Sequence, residues 1–204
     1  MPETGLIILA AGGSKRLGSP KQLLRFKGRT LLRHAAETAL ASVCRPVVVV
    51  LGAGAEALEP ELHGLDVIVA SNSEWDSGIG ASIRIGLQHL MSNYSNGTVD
   101  SVVFMVCDQP LIRGADIDRL YASHAKTGLG IVSSLYGDSM GVPALFSSKY
   151  FSELAALDAS HGAKMIIAKH LEDNHSVPLP AAVFDVDTYQ DYQEIVRNEQ
   201  GDAR

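Results

Sequence analysis

Residues 5–24 read GLIILAAGGSKRLGSPKQLL, and this stretch decides the fold and points to the function. The apolar run Leu6 to Leu9 is too short for a helix and ends close to two adjacent glycines, which predicts a buried first strand and a tight turn. A glycine turn can aim backbone N–H groups at an anion, and Arg16 and Lys21 add positive charge beyond it. The sequence therefore predicts a phosphate-binding loop, with a strand-to-helix loop carrying solvated cations as the alternative.

The glycine spacing in this loop excludes two common phosphate-binding motifs. The P-loop of ATPases ends in Gly-Lys-Ser or Gly-Lys-Thr, which is absent from residues 5–24. The dinucleotide fingerprint needs glycines spaced G-x-G-x-x-G, whereas Gly12 and Gly13 are adjacent and the next glycine is Gly18. A nicotinamide dinucleotide is therefore not expected at this turn.

Further apolar runs continue the pattern that begins with the first strand. Strands are predicted at 47–51, 67–69 and 102–106, and helical stripes lie between them, the first with Thr30 as its N-cap. Alternating strands and helices indicate a parallel sheet covered on both faces. We predict an α/β fold, a three-layer α/β/α sandwich with a Rossmann-like, mostly parallel sheet, in one domain over residues 1–204.

Composition restricts the partners and the location. The chain carries 17 Lys and Arg against 23 Asp and Glu, a net charge of −6, so no nucleic-acid partner is expected. Cys44 and Cys107 have no paired spacing, which argues against a zinc site or a disulfide scaffold. No apolar run approaches the roughly 20 residues of a membrane span, and the N-terminus lacks a signal-peptide pattern. A cytoplasmic protein without a membrane partner is expected.

A second constellation lies in residues 71–90, SNSEWDSGIGASIRIGLQHL. Apolar residues at helical spacing predict a helix that opens near Gly78 to Ser82, where free N–H groups favour an anion or a carbonyl group. The alternative is a glycine-bearing helix start that Ser82 caps.

Acidic residues follow two other segments. Asp108 ends the run 102–106 and precedes Gln109 and Pro110, so it is a candidate ligand for a hard cation, or else a turn residue. Alternation puts Asp185 and Asp187 on one side of a predicted short strand, where a divalent ion would relieve their repulsion. Thr188 and Asp191 form a capping box for the last helix; in the alternative interpretation one of the acids only caps this helix.

The motif Leu9-Ala10-Ala11-Gly12-x-Ser14-x-Arg16-Leu17-Gly18-x-Pro20-Lys21-x-x-Leu24 resembles the signature of the MobA-like nucleotidyltransferases, most closely the molybdenum cofactor cytidylyltransferase branch. This resemblance implies Mg²⁺-dependent transfer of a nucleoside monophosphate to a phosphorylated acceptor, with release of pyrophosphate. It implies catalytic roles for Arg16, Lys21 and Asp108. It also implies a nucleotide site formed by Leu9, Ala10, Ala11, Gly12, Gly13, Ser14, Asn72, Gly80 and Ser82, and metal ligands among Asp108, Asp185 and Asp187.

The nucleotide and the acceptor follow from details of this resemblance. Ala11 replaces a glycine of the guanylyltransferase branch and favours CTP. The expected acceptor is molybdopterin, although Val142 replaces the histidine of the family's Gly-His-Pro segment. A sugar or polyol phosphate such as methylerythritol phosphate is the first alternative, and a non-catalytic module for binding or delivery of the molybdenum cofactor is the second. A molybdoenzyme or its maturation chaperone is the expected protein partner.

Overall fold

The computed structural model describes residues 3–14, 16–92 and 99–201. The strands are β1 (Glu3–Ala10), β2 (Arg25–Phe26), β3 (Arg29–Thr30), β4 (Val47–Leu51), β5 (Ile68–Ser71), β6 (Val99–Val106), β7 (Ile131–Tyr136), β8 (Ser139–Ser147) and β9 (Asn174–Pro178). The helices are α1 (Leu31–Leu40), α2 (Ala55–Leu58), α3 (Ile79–Ser92), α4 (Gly114–Thr127), α5 (Phe151–Ala155), α6 (Ala163–Lys169) and α7 (Tyr189–Gly201). Short 3₁₀ helices lie at Lys21–Leu23, Glu59–Leu62, Trp75–Ser77, Ser148–Tyr150, Leu171–Asp173 and Pro180–Val183.

Seven strands form one sheet in the order β5-β4-β1-β6-β8-β7-β9. The first strand lies inside it and pairs in parallel with β4 and β6, so that Leu9 lies opposite both Val50 and Val106. Among the described strands of this sheet, β8 alone runs against its neighbours, while β2 and β3 form a separate antiparallel pair. The predicted mostly parallel sheet is therefore confirmed, and the carboxyl ends of β1, β4 and β6 meet at one edge.

Alternate side chains of the strands belong to two apolar clusters, one on each face of the sheet. Leu6 and Ile8 of β1 pack in a cluster with α1, α2 and α4. Ile7 and Leu9 pack in the other cluster with α3, α5 and α6. Because helices cover both faces of the sheet, the predicted α/β/α sandwich is also confirmed.

Helix α3 lies directly on the sheet because Gly86 carries no side chain. A Cβ atom at Gly86 would lie 2.6 Å from Ile7 Cγ2 and 3.0 Å from Val50 Cγ2, closer than packed side chains tolerate. This contact holds the N-terminal end of α3 near the carboxyl edge of the sheet. In the described part of the chain no helix is long and apolar enough to span a membrane.

Two local predictions had different outcomes. The Thr30 hydroxyl accepts a hydrogen bond from Arg33 N at 3.3 Å and caps α1 as predicted. The predicted strand around Asp185 and Asp187 is wrong, because residues 184–187 have no regular secondary structure and pair with no strand that the structure describes. Val186 N bonds instead to Asp108 O at 2.9 Å, which ties this segment to the end of β6.

Candidate active site

The loop after β1 is held by a buried glutamine that the sequence analysis did not single out. Gln22 Nε2 donates to the carbonyl oxygens of Ala10 and Gly12, both at 2.8 Å. Ser14 Oγ donates to Gln22 Oε1 at 3.3 Å and accepts from Lys21 N at 2.9 Å. The loop is therefore shaped by its own side chains, and the Ser14 hydroxyl already has two partners within it.

Four charged side chains meet where β1 and β6 end. The Lys21 ammonium bonds to Asp108 Oδ2 and lies 3.2 Å from Asp187 Oδ1. Arg16 Nη2 donates to Asp187 Oδ2 at 2.8 Å, although these residues are 171 positions apart in the chain. The fold thus brings together both predicted cations and two of the three predicted metal ligands.

Lys21 and Arg16 differ in their exposure to solvent. The side chains of Lys21 and Asp108 are 16% and 15% exposed, whereas that of Arg16 is 69% exposed. Burial acts to lower the pKa of Lys21, but the charge of Asp108 and the hydrogen bonds to Asp108 and Asp187 outweigh it, and the pKa is raised. Lys21 is thus a weakly screened cation in the interior of the cluster, and Arg16 is an exposed one at its rim.

The carboxylates suit a hard cation, though they do not form a complete metal centre. Asp108 Oδ1 is buried and has no hydrogen-bond partner among the described residues. Partial desolvation, followed by the charges of Asp187 and Asp108, raises the pKa of Asp185. In the same part of the chain, no three His, Cys, Asp or Glu side chains lie together as a ready-made metal site. A metal ion here would need further oxygen ligands, which triphosphates commonly supply.

A cavity of about 310 Å³ adjoins this charged cluster. Lys21 and Asp108 line it together with predicted nucleotide-site residues and with side chains from the start of α3. Its lining consists of Leu9, Ala10, Ala11, Gly12, Lys21, Gln22, Trp75, Gly78, Ile79, Ser82, Val106, Cys107 and Asp108. The cavity lies at the carboxyl edge of the sheet, where ligands of open α/β sheets bind.

Three predicted nucleotide-site residues make hydrogen bonds within the protein. Asn72 Nδ2 donates to Ser82 Oγ at 3.0 Å, and Asn72 Oδ1 accepts from Glu74 N at 2.9 Å. Gly80 N donates to Ala159 O at 2.9 Å, and the Asp158 carbonyl occupies the place of a Gly80 side chain. Ser82 still lines the cavity, so these contacts position the wall of the cavity.

Two residues absent from the sequence prediction shape the cavity. Gln22 is 1% exposed. In the sequence, the one feature that could have pointed to it is a glutamine next to the apolar residues Leu23 and Leu24. Trp75 lies against Gly13 and Gly52. In the sequence, it could have been noticed as an aromatic residue inside the segment 71–90. Neither signal shows from sequence alone which side the residue faces.

The chain resembles known proteins in sequence. Residues 6–175 match the MobA-like NTP transferase domain. Nicotine blue oxidoreductase of Paenarthrobacter nicotinovorans is 36% identical to the chain over 138 residues, which are 67% of this chain and 63% of that protein. Bifunctional protein GlmU of Streptomyces griseus subsp. griseus is 32% identical over 142 residues, but the chain spans only 28% of its length.

Solved structures agree over nearly the whole chain. The crystal structure of Rv0371c from Mycobacterium tuberculosis H37Rv is 31% identical with a TM-score of 0.74, covering 97% of this chain and 99% of that one. A complex of Rv0371C with manganese is 26% identical with a TM-score of 0.75, covering 96% and 98%. The fold and these similarities define an α/β protein with an NTP transferase domain. The chain belongs to the MobA-like NTP transferase family.

Proposed function

We propose that the chain is a cytidylyltransferase, which transfers CMP from CTP to a phosphorylated acceptor, molybdopterin, and releases pyrophosphate. The observation that carries this proposal is the cluster of Lys21, Arg16, Asp108 and Asp187 beside a cavity of about 310 Å³. A cluster of cations and carboxylates suits a triphosphate. The cations can bind phosphate oxygens directly, and the carboxylates can bind them through a divalent ion.

Asp108, with Asp185 or Asp187, would hold a magnesium ion, and the unpartnered Asp108 Oδ1 supports this assignment. When bound, the ion would neutralise charge on the triphosphate and on the leaving pyrophosphate. The manganese complex of Rv0371C supports the use of a divalent metal in this family.

Lys21 and Arg16 would contribute by binding charge that develops on the leaving pyrophosphate. Both cations now pair with carboxylates, so they exchange those partners for phosphate oxygens when the nucleotide binds. Lys21 has the stronger effect because it is largely withdrawn from solvent, where its charge is little screened.

The acceptor's phosphate oxygen is already ionised and attacks the α-phosphorus in line. No strong general base is therefore required from the chain. Most of the acceleration comes from positioning the two substrates and from neutralising charge.

The preference for CTP rests on Ala11, which lines the cavity and is 5% exposed. Its methyl group narrows the space for the second ring of a purine, whereas cytosine still fits. A difference of one methyl group is worth about 1–3 kcal/mol, so we expect CTP to exceed GTP by tens to hundreds of fold in kcat/KM.

The acceptor has two further candidates. Val142 in place of the family's histidine suits a sugar or polyol phosphate such as methylerythritol phosphate. A module that binds or delivers the molybdenum cofactor without turnover, to a molybdoenzyme or its chaperone, is the non-catalytic alternative. The clustered acids Asp108 and Asp187 favour catalysis over this alternative.

An oxidoreductase is the second candidate function. The specific observation in its favour is the 36% identity to nicotine blue oxidoreductase over 138 residues. An oxidoreductase moves electrons from a donor to an acceptor, so this activity can be assayed separately from nucleotidyl transfer.

The deciding experiment measures pyrophosphate release with CTP, GTP, ATP and UTP against molybdopterin and methylerythritol phosphate, each with Mg²⁺ or Mn²⁺. A parallel assay follows the oxidation of NADH and NADPH with a quinone dye. Pyrophosphate release that needs CTP, metal and acceptor supports the proposal, and hydride transfer without it favours the oxidoreductase.

Two variants sharpen this experiment. Asp108→Asn should abolish metal-dependent turnover and leave the circular dichroism melt almost unchanged, since it removes a charge but little volume. A loss of several kcal/mol of stability would make Asp108 a structural residue. Ala11→Gly should raise the use of GTP, and equal efficiency of CTP and GTP in the unmutated protein would contradict the cytidylyl assignment.

A further inference from the structure

Trp75, the only tryptophan of the chain, lines the cavity beside Lys21 and Asp108. It begins the 3₁₀ helix Trp75–Ser77, directly before the positive-φ residue Gly78 (φ 129°) and helix α3. Its neighbours in the cavity wall include Ala11, Ile79 and Ser82. An aromatic side chain therefore forms part of the wall of the cavity that carries the charged cluster.

Two glycines at the ends of neighbouring strands make room for this side chain. A Cβ atom at Gly13 would lie 2.9 Å from Trp75 Cζ3, and one at Gly52 would lie 2.5 Å from Trp75 Cβ. A larger residue at Gly13 would press against the tryptophan ring, and one at Gly52 would collide with Trp75 and with the Ala11 backbone oxygen, 2.8 Å away. The turns after β1 and β4 are thus shaped around Trp75.

The backbone next to Trp75 is also fixed. Asn72, which is 2% exposed, accepts a hydrogen bond from Glu74 N and donates one to Ser82 Oγ. This amide ties the segment before Trp75 to the first turn of α3. The aromatic surface is therefore held in place before a ligand arrives, which reduces the entropy lost on binding.

We propose that the Trp75 indole stacks on the base of the bound nucleotide and supplies much of the affinity for it. This inference rests on the proposed function, because it takes the ligand of the cavity to be a nucleotide. Every base has a π-face, so stacking accepts any of them and leaves discrimination between bases to Ala11. Trp75 thus binds the base, and the cluster around Lys21 binds the phosphates.

Because the chain has one tryptophan, its emission reports on this cavity alone. The first experiment titrates the unmutated protein with CTP and with inorganic tripolyphosphate, in the presence of Mg²⁺ and without an acceptor. Tripolyphosphate carries the phosphates but no base. We expect CTP to quench the emission and tripolyphosphate to leave it unchanged.

The second experiment measures calorimetric affinities of two variants for the same ligands. Trp75→Leu should bind CTP about tenfold more weakly or worse, because stacking on one base is typically worth that much. Trp75→Phe should stay within a few-fold of the unmutated protein, since it keeps an aromatic face. Tripolyphosphate should bind all three proteins alike.

A matched control is Phe151→Leu, which makes the same kind of change at a half-buried aromatic residue outside this cavity. It should leave the affinity for CTP unchanged. Equal losses of CTP and tripolyphosphate in Trp75→Leu would make Trp75 a structural residue and overturn the inference.

The inference and the proposed function fail in different ways. Base-dependent quenching without release of pyrophosphate from a triphosphate, whichever acceptor is added, would leave Trp75 a base contact and overturn the proposed transferase activity. Pyrophosphate release with unaltered CTP affinity in Trp75→Leu would do the opposite. If none of the four triphosphates binds to the cavity, the inference is wrong.

Discussion

Lys21 and Arg16 both contact Asp187, but their different exposure to solvent gives their charges different electrostatic strength. Lys21 also bonds to Asp108 and is mostly buried, whereas the guanidinium of Arg16 is largely in solvent. Solvent and salt screen the exposed pair more strongly, so its contribution in the free protein is small.

We predict that Lys21→Ala lowers turnover by roughly 10²-fold or more, because it removes a fixed cation from the leaving pyrophosphate. Arg16→Lys should reduce turnover less but clearly, since an ammonium does not replace a bidentate fork. Steady-state kinetics with saturating metal would measure both effects. The control is Lys27→Ala, which removes an exposed cation between β2 and β3. Unmutated rates in Lys21→Ala would rule out its assignment to the phosphates.

The sequence predicted which charged residues belong to the site, but it did not predict which of them contact one another. A glycine turn followed by Arg and Lys indicates an anion site without showing that Asp187 lies 171 residues away and within 2.8 Å of Arg16. Gln22 was missed for a related reason. Its two bonds to carbonyl oxygens depend on the loop folding back over β1, which no local pattern encodes.

At the scale of elements, the start of helix α7 holds one side of the charged cluster. Asp191 Oδ2 accepts from Thr188 N at 2.7 Å and from Asp187 N at 3.1 Å, and Asp191 N donates to Thr188 Oγ1 at 3.2 Å. The predicted capping box is confirmed, and it also fixes the backbone of a proposed metal ligand. Hydrogen bonds from the Thr188 hydroxyl and backbone lower the pKa of Asp191.

We predict that Asp191→Ala costs about 0.5–2 kcal/mol of stability, as the loss of other helix caps does. It should also weaken metal binding, because Asp187 loses the bond that orients it. Urea denaturation and a metal titration of turnover would measure the two effects. Glu194→Ala on the same helix is the control, because Glu194 is exposed and accepts a hydrogen bond from Gln190 at 3.3 Å on the surface. A stability loss without any change in metal dependence would limit the box to a structural role.

The wrong strand prediction at residues 185–187 belongs to this scale too. Alternation correctly separated the buried Val186 from the acids on either side of it. A strand also needs a neighbour to bond with, and the end of β6 offers only Asp108 O. The alternation of side chains therefore predicted which residues of this segment are buried and which are exposed. It did not predict whether the segment pairs with another strand.

At the scale of the whole molecule, Asp173 joins three distant segments near the β9 edge of the sheet. Its carboxylate accepts from Tyr150 Oη at 2.6 Å and from Gly130 N at 3.1 Å, and it pairs with Lys149 Nζ at 2.7 Å. The hydrogen bonds from Lys149 and Tyr150 lower its pKa from 3.8 to about 2. Since the folded state has the lower pKa, the stabilisation is complete above pH 3.8 and is lost as the pH falls toward 2.

We predict that Asp173→Asn is less stable than the unmutated protein at neutral pH and that the difference shrinks as the pH falls from about 4 to about 2. Free energies of unfolding in urea across this range would measure the convergence. Asp138→Asn, at an exposed acid in the β7–β8 turn, should run parallel to the unmutated protein. A difference that stays constant with pH would mean that Asp173 acts through shape and not through charge.

The sequence predicted the layers of the molecule better than the order of its strands. Alternating strands and helices indicated a parallel sheet, and β1, β4, β5 and β6 follow that expectation. The antiparallel insertion of β8 between β6 and β7 was not predicted, because an apolar strand carries no mark of its direction. That choice depends on contacts between residues far apart in the chain.

The inner position of β1 also affects the timing of biosynthesis. β4 can cover one side of β1 early, but the other side waits for β6 at Val99–Val106. At about 5–20 residues per second, a ribosome needs several seconds or more to deliver that strand after β1 has been made. During this interval the nascent chain presents an apolar strand with open hydrogen-bonding groups, the kind of edge that chaperones shield. Slower translation between β4 and β6 would therefore lengthen the period in which the newborn protein is prone to aggregate.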